Sequence, residues 1–274
     1  MKRPPRVLTI AGSAAGGSAG IQGDIKTFQE LDVYGTSVIT AIVGRHPVTD
    51  KNVHPQTIEA IEGQFHTVTQ QVGIDAIKVG MLFSEEVIKR VTELILDTGV
   101  TKLVVDPVMV GKLRSVLLKD DAIHMLREKL LPHATIITPN MPEASLLLND
   151  RVIETPEDVR QAAIDLQKEV NTAVLVKGGR LAGPAIDVLC DGEQIVTYEA
   201  PRIDTIHTSG AGCSYAAAIA AYLAKGEALQ EAVLKAKQFV TTAIEHGFTY
   251  TSEVGPTYHA AMGKFGLAHE IKVY

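Results

Sequence analysis

The sequence predicts a doubly wound α/β layer fold: a mostly parallel central sheet, helices on both faces, and a small antiparallel edge. Three observations carry this reading. Apolar, β-rich runs recur along the chain with helical patterns between them. Those runs are apolar nearly throughout instead of alternating, as expected of strands covered on both faces. One stretch, residues 185–198, breaks the rhythm with a hairpin signal.

In chain order the expected strands are RVLTIAG at 6–12, SVITAIVG at 37–44, DAIKVGM at 75–81, KLVVDPV at 102–108, ATIITPN at 134–140 and TAVLVKGG at 172–179. The helices between them carry start signals. Ser84 precedes the acidic pair Glu85 and Glu86, and Asp120 and Asp121 precede an apolar-periodic run. Thr155-Pro156-Glu157-Asp158 combines a cap, a proline at the first helical position and an acid three residues on. In AIDVLCDGEQIVTY, 185–198, two short β-rich runs flank Asp191-Gly192, a two-residue hairpin signal. From about 210 to 247 the chain reads as two helices, the first ended by Gly226 and the second by Gly247. No repeat, low-complexity linker or composition shift divides the 274 residues, so residues 1–274 read as a single domain.

Composition narrows the function classes. A 46% hydrophobic and 21% charged chain is a folded globular one. With 26 basic against 32 acidic side chains, the net charge of −6 offers no general attraction to nucleic acid or acidic membranes. The longest apolar runs, such as that at 214–224, are alanine-rich and far short of a membrane span, and the chain enters its first strand almost at once; a cytoplasmic protein is expected. Cys190 and Cys213, the only two cysteines, read as free thiols, and nine scattered histidines show no metal-ligand spacing.

In such folds ligands bind beyond the carboxyl ends of the strands. The first of these turns, GSAAGGSAG at 12–20, permits close backbone approach but has neither a dinucleotide fingerprint nor a Walker A loop; it also reads as a plain strand-to-helix turn. Asp106 ends one strand, and Asn140 ends another with Glu143 three residues on. Oxygens at neighbouring strand ends suit an octahedral magnesium, whereas Asn140 and Glu143 equally form a capping box. Lys177 before two glycines suits a phosphate or a solvated surface. In HTSGAGCSYAAA, 207–218, Gly210, Ala211 and Gly212 place backbone N–H groups at a helix start, which attracts anions; Cys213 beside them is either chemical or packing.

Together these residues resemble the ribokinase-type superfamily, in its branch of hydroxymethylpyrimidine (phosphate) kinases and the pyridoxal kinases that share their scaffold. The resemblance spans nearly the whole chain. It rests on residues 8–20 followed by Ile21-Gln22-Gly23-Asp24, KTFQEL at 26–31, YGTSVITAIV at 34–43, IKVGML at 77–82, VVDPVMV at 104–110, TPNMPEA at 138–144, VKGG at 176–179 and SGAGC at 209–213. It implies a ribokinase-like fold, ATP as donor, Mg²⁺ as counterion, a hydroxymethyl group on a small heteroaromatic ring as acceptor, and a homodimer; a monovalent cation is compatible with it. Gly210, Ala211 and Gly212 would form the anion hole with Cys213 in the position of the usual aspartate base, its thiol expected to titrate near neutrality at the helix start. Asp106 and Glu143 would organise magnesium. Asn140, Lys177, Gly179, Thr208, Gly210 and Gly212 would bind the nucleotide, and Gly12, Ser13, Ala19, Asp24, Val43, Arg45, Met81 and Val108 the acceptor.

The departures bear on the acceptor. Ala14 replaces the aspartate that usually follows GS. Arg45 stands where a glutamine or glutamate reads the aminopyrimidine, and an arginine cannot accept from an amino group. GAGC is similar to the pyridoxal kinases of the branch, although Ser209 and Gly111 replace their histidine and cysteine. The expected activity is therefore phosphorylation of pyridoxal; hydroxymethylpyrimidine phosphorylation, or a non-catalytic vitamin-binding role on the same frame, are the alternatives.

Overall fold

The structure, a computed structural model, describes residues 3–44, 48, 52–109, 120–251 and 253–274. β1 (Arg6–Ala14) runs into α1 (Gly20–Glu30), β2 (Tyr34–Val43) and the short β3 (Val53–Pro55). After α2 (Ile58–Gln71) come β4 (Ala76–Val79), α3 (Glu85–Asp97) and β5 (Leu103–Val105), then α4 (Asp120–Met125), β6 (Ile136–Ile137), α5 (Met141–Leu147), α6 (Pro156–Val170) and β7 (Ala173–Lys177). β8 (Ala185–Cys190) and β9 (Ile195–Ala200) precede α7 (Ala211–Ala224), α8 (Leu229–Glu245), α9 (Ala261–Phe265) and β10 (Lys272–Val273).

The strands form one ten-stranded sheet in the order β10-β9-β8-β7-β6-β5-β4-β1-β2-β3. Its middle, from β2 through β7, is parallel, and β3 at one edge and β8 to β10 at the other are antiparallel. The expected mostly parallel sheet with an antiparallel edge is what forms. Because β1 lies between β2 and β4, strand order reverses at β1, and the crevice beyond the carboxyl ends of β1 and β4 is the topological switch point where ligands bind in such sheets.

Apolar continuity has the expected cause. Leu8, Ile10, Ile77, Val79, Leu103, Val105, Ile137, Val174 and Val176 face one core together with α2, α3, α5 and α6. The alternate residues Val7, Ala76, Val104, Ile136, Ala173 and Leu175 face a second core with α1, α7 and α8. Five alanines of α7 (Ala216, Ala217, Ala218, Ala220, Ala221) are wholly buried, so this helix packs close to the sheet.

The start signals at Ser84 and Thr155 hold. Ser84 accepts from the Val87 N–H, and Thr155 with Asp158 forms a complete capping box, contacts that each contribute about 1 kcal/mol. Gly226 and Gly247 donate to the last-turn carbonyls of Leu223 and Ile244 and end α7 and α8. The hairpin differs from expectation in its turn. Cys190 pairs with Ile195, so the loop has four residues; the Asp191 carboxylate accepts the Glu193 and Gln194 N–H groups at 3.0 and 2.7 Å and closes this longer turn. β5 and β6 are shorter than the runs that predicted them, and each stops two residues before a proline, which has no N–H for the ladder. Among the described residues no helix is long and apolar enough to cross a membrane.

Candidate active site

The GAGC turn begins α7. Gly210 takes φ +88°, a left-handed conformation, and a Cβ placed there would stand 1.6 Å from the Ser18 carbonyl oxygen. Only glycine fits a turn lying directly on the first loop. The turn is further fastened by the Ser18 and Ser209 hydroxyls, 2.7 Å apart. One expectation is corrected: the Ala211 N–H turns back onto the Thr208 carbonyl at 3.2 Å, because the chain makes a tight turn before entering the helix. The N–H groups of Gly212 and Cys213 make no hydrogen bond among the described residues, so they are the donors left for an anion at the positive end of α7.

Strand ends bring a charged group to this turn. The Lys177 ammonium, at the end of β7, lies 3.4 Å from where a Gly212 Cβ would be. It donates to Asp106 Oδ1 at 2.8 Å, and Thr138 reaches the same oxygen at 3.2 Å. Burial pushes the Asp106 carboxyl up, but the Lys177 and Lys78 ammonium groups more than offset it and hold it below its usual range. Asn140 and Glu143 form the capping box at the start of α5: Asn140 Oδ1 accepts the Glu143 N–H at 3.0 Å, and Glu143 Oε2 accepts the Asn140 N–H at 2.8 Å. The capping reading of this pair is therefore met in full. Burial, reinforced by the charge of Asp106 and opposed by Lys177, raises the Glu143 pKa to about 7.

A second group of residues surrounds the first loop. Gly12 stands at a register shift between β1 and β2; a Cβ there would be 2.5 Å from Met81 Cε and 3.6 Å from Val43 Cγ2. Gly12, Val43 and Met81 thus share one wall. Gln22 holds the loop, donating to Ser13 Oγ at 2.7 Å and accepting from the Ala14 N–H at 2.9 Å. Ala19 caps α1 beside Gly210, and half-buried Val108 follows Asp106. Arg45 and Gly111 lie outside the described residues.

Asp24 departs from its expected place. It is sealed beneath the pocket, with Thr9 Oγ1 at 2.6 Å and Lys78 Nζ at 2.9 Å on the same oxygen, Oδ2; its Oδ1 has no partner. Lys78 and Asp24 are both 0% exposed. Burial raises the Asp24 pKa against the opposing pull of Lys78 and Thr9. Lys78 stays charged because the Asp24 and Asp106 carboxylates offset its own burial. Cys213 is half-buried, and the expectation of a titration near neutrality does not hold. Desolvation pushes its thiol up, the Asp106 and Asp24 charges add to this, and Lys78 with the Gly20 N–H only partly compensates.

Beyond the turn opens a cavity of about 620 Å³, lined by Asn140, Lys177, Gly179, Thr208, Ala211 and Gly212, with Asp187, Tyr215 and Lys237 on its deeper side. That volume suits a nucleotide-sized ligand. Residues 15–258 match the family model described as phosphomethylpyrimidine kinase. The chain belongs to the phosphomethylpyrimidine kinase family. It is 42% identical over 262 residues to the hydroxymethylpyrimidine/phosphomethylpyrimidine kinase of Streptomyces coelicolor, covering 95% of this chain and 97% of that one. It is equally 42% identical over 261 residues to the pyridoxine kinase of Bacillus subtilis, covering 94% and 96%. Its fold superposes on the pyridoxal kinase from Staphylococcus aureus, solved in complex with AMP-PCP and pyridoxal, with a TM-score of 0.92 at 37% identity, over 100% of this chain and 99% of that chain. The ribokinase-like architecture expected from the motifs is therefore established, and the protein is a kinase by family.

Within this kinase frame, Lys78, Thr9, Gln22, Asp187 and Lys237 escaped the sequence reading. Lys78 left a signal: a lysine inside the otherwise apolar strand DAIKVGM is buried and must be paired. Asp187 and Lys237, joined at 2.5 Å, left none, since they lie 50 residues apart on β8 and α8.

Proposed function

We propose that the protein is an ATP- and magnesium-dependent pyridoxal kinase that phosphorylates the 5′-hydroxymethyl group, with pyridoxine and pyridoxamine as further acceptors. The observation that carries the reading is a junction. The free Gly212 and Cys213 N–H groups and the Lys177 ammonium meet between the cavity and the Gly12, Val43 and Met81 wall. The first loop links the two sides: a Cβ on Gly210 would be 1.6 Å from the Ser18 carbonyl oxygen, and one on Gly20 would be 2.1 Å from the Gly12 carbonyl oxygen. Pyridoxal as acceptor is supported by the GAGC form of the turn and by the whole-chain likeness to the Staphylococcus aureus pyridoxal kinase.

In the transfer, the bond from the acceptor oxygen to phosphorus forms as the bond to the ADP oxygen breaks, and charge spreads over the phosphoryl oxygens. The Gly212 and Cys213 N–H groups and Lys177 stand where that charge develops; one such donor is worth roughly 10²–10³ in rate. Asp106 Oδ2 accepts no hydrogen bond among the described residues, and two buried carboxylates near one ammonium suit a hard cation that brings its own waters. Asp106 and Glu143 would hold Mg²⁺ there, which would supply neutralisation of the donor phosphates. Because the Cys213 thiol is protonated at neutral pH, it orients the acceptor hydroxyl instead of deprotonating it; in a loose transition state the hydroxyl proton leaves late, to an oxygen of the transferred phosphoryl group.

A parallel steady-state assay of pyridoxal, pyridoxine and hydroxymethylpyrimidine with ATP tests the reading. Efficient turnover of the pyrimidine with negligible turnover of pyridoxal overturns it. The second reading, a hydroxymethylpyrimidine (phosphate) kinase, is favoured by the Streptomyces coelicolor relative, and in that case Arg45→Gln should raise pyrimidine turnover.

A further inference from the structure

The donors of the GAGC turn are aimed by something outside the turn. Ser214, in the first turn of α7, donates its hydroxyl hydrogen to the Gly210 carbonyl at 2.9 Å, the same oxygen that accepts the Ser214 N–H at 2.9 Å. His259 Nε2 lies 2.9 Å from Ser214 Oγ. With the serine hydrogen on the Gly210 carbonyl, the second contact is the one that the Nε2–H tautomer of the imidazole makes. The chain of donation therefore runs from His259 Nε2–H to Ser214 and from Ser214 to the Gly210 carbonyl.

The segment carrying His259 is itself bound to the turn. The Ser209 N–H donates to the Gly255 carbonyl and the Ser209 carbonyl accepts the Thr257 N–H, both at 3.1 Å, while His207 Nδ1 accepts the Gly255 N–H at 3.0 Å. On its far side the Tyr258 N–H donates to the Ala243 carbonyl of α8 at 2.8 Å. His259 is buried between two helices, α7 at Ser214 and α1 at Gly23, whose Cβ would stand 3.7 Å from Nε2. One imidazole thus touches the helix of the phosphoryl turn and the helix that begins at the first loop.

We propose that His259 is a positioning residue for phosphoryl transfer: through Ser214 it fixes the Gly210 carbonyl, and with it the aim of the Gly212 and Cys213 N–H groups. The inference rests on the phosphoryl-transfer reading of the turn. It assigns the imidazole no proton transfer and no contact with either substrate.

The test compares wild type, His259→Ala, His259→Gln, Ser214→Ala and the His259→Ala/Ser214→Ala double variant in steady-state assays with ATP and pyridoxal, alongside thermal unfolding. A misplacement of the order of 1 Å costs about 100-fold in rate. Each alanine variant should lose roughly 10- to 100-fold in kcat with both KM values nearly unchanged. The double variant should be no slower than the slower single one, because both act through one bond chain. Gln, which places an amide N–H near the Nε2 position, should recover much of the loss. Variants that unfold at lower temperature but keep wild-type kcat, or losses that multiply in the double variant, overturn the proposal. If His259→Ala fails to fold, His259→Gln and Ser214→Ala still decide it. A wild type that phosphorylates neither pyridoxal nor hydroxymethylpyrimidine refutes the phosphoryl-transfer reading and this inference with it, whereas an active wild type beside fully active variants refutes the inference alone.

Discussion

Replacing Lys78 by methionine isolates the buried pair beneath Cys213. Methionine matches the stem of lysine and removes the ammonium that stands 2.9 Å from Asp24. Asp24 then keeps only Thr9, and its second oxygen already has no partner. An ionised carboxylate left in this place costs about 3–5 kcal/mol, so the chain avoids part of that cost by folding with Asp24 protonated. Protonation has its own pH-dependent cost. The unfolded aspartate titrates near 3.9, so holding the proton costs roughly 1.5 kcal/mol at pH 5 and 3 kcal/mol at pH 6, after which the ionised form sets the ceiling. The sign follows from the raised folded pKa: the variant is favoured at low pH and loses stability as pH rises, by about 1.4 kcal/mol per unit in this window. Urea denaturation of Lys78→Met against wild type from pH 5 to 7 reads the slope directly. Lys78→Met/Asp24→Asn, which removes both charges, should recover stability and show no such slope. A pH-independent cost for Lys78→Met, or one below about 1 kcal/mol at pH 7, would refute the reasoning.

Other perturbations separate the parts of the site. Gly210→Ala must move a Cβ that would lie 1.6 Å from the Ser18 oxygen and hold a left-handed conformation costing about 1–2 kcal/mol; kcat should fall by about 100-fold or more with the circular dichroism spectrum retained. Lys177→Met should lower kcat by roughly 10²–10³ and weaken ATP, as read in steady-state kinetics, because it removes the ammonium beside Gly212 and leaves Asp106 only the charge of Lys78. Glu143, with a pKa of about 7, holds a proton that a metal must displace, so the magnesium concentration for half-maximal activity should rise as pH falls through 7. In Glu143→Gln that dependence should vanish and the magnesium requirement should stay high. By the same raised pKa, Glu143 favours folding of the metal-free protein at pH below its folded value and ceases to do so as pH rises through about 7.

The parallel sheet, the capped helices and the edge hairpin were legible in the sequence because their determinants are local. A strand buried on both faces must be apolar throughout, as RVLTIAG and KLVVDPV are, and a helix start needs an acceptor within three residues, as Ser84 and Thr155 provide. The Asp191 turn was legible as a turn but not in its length, which two side-chain hydrogen bonds set. Glycine at 210 was visible, while its reason, the Ser18 carbonyl, is almost 200 residues distant.

By itself, then, the sequence determined the layer architecture, the order of the turns that crowd one end of the sheet, and the residue types gathered there. Only the tertiary structure decided how those residues act. It turned Ala211 away from the site, sank Asp24 onto Lys78, kept the Cys213 thiol protonated and set His259 behind Ser214. The reason is physical: hydrophobic periodicity and capping are properties of neighbouring residues, whereas desolvation and charge pairing depend on what distant segments bring within a few ångströms.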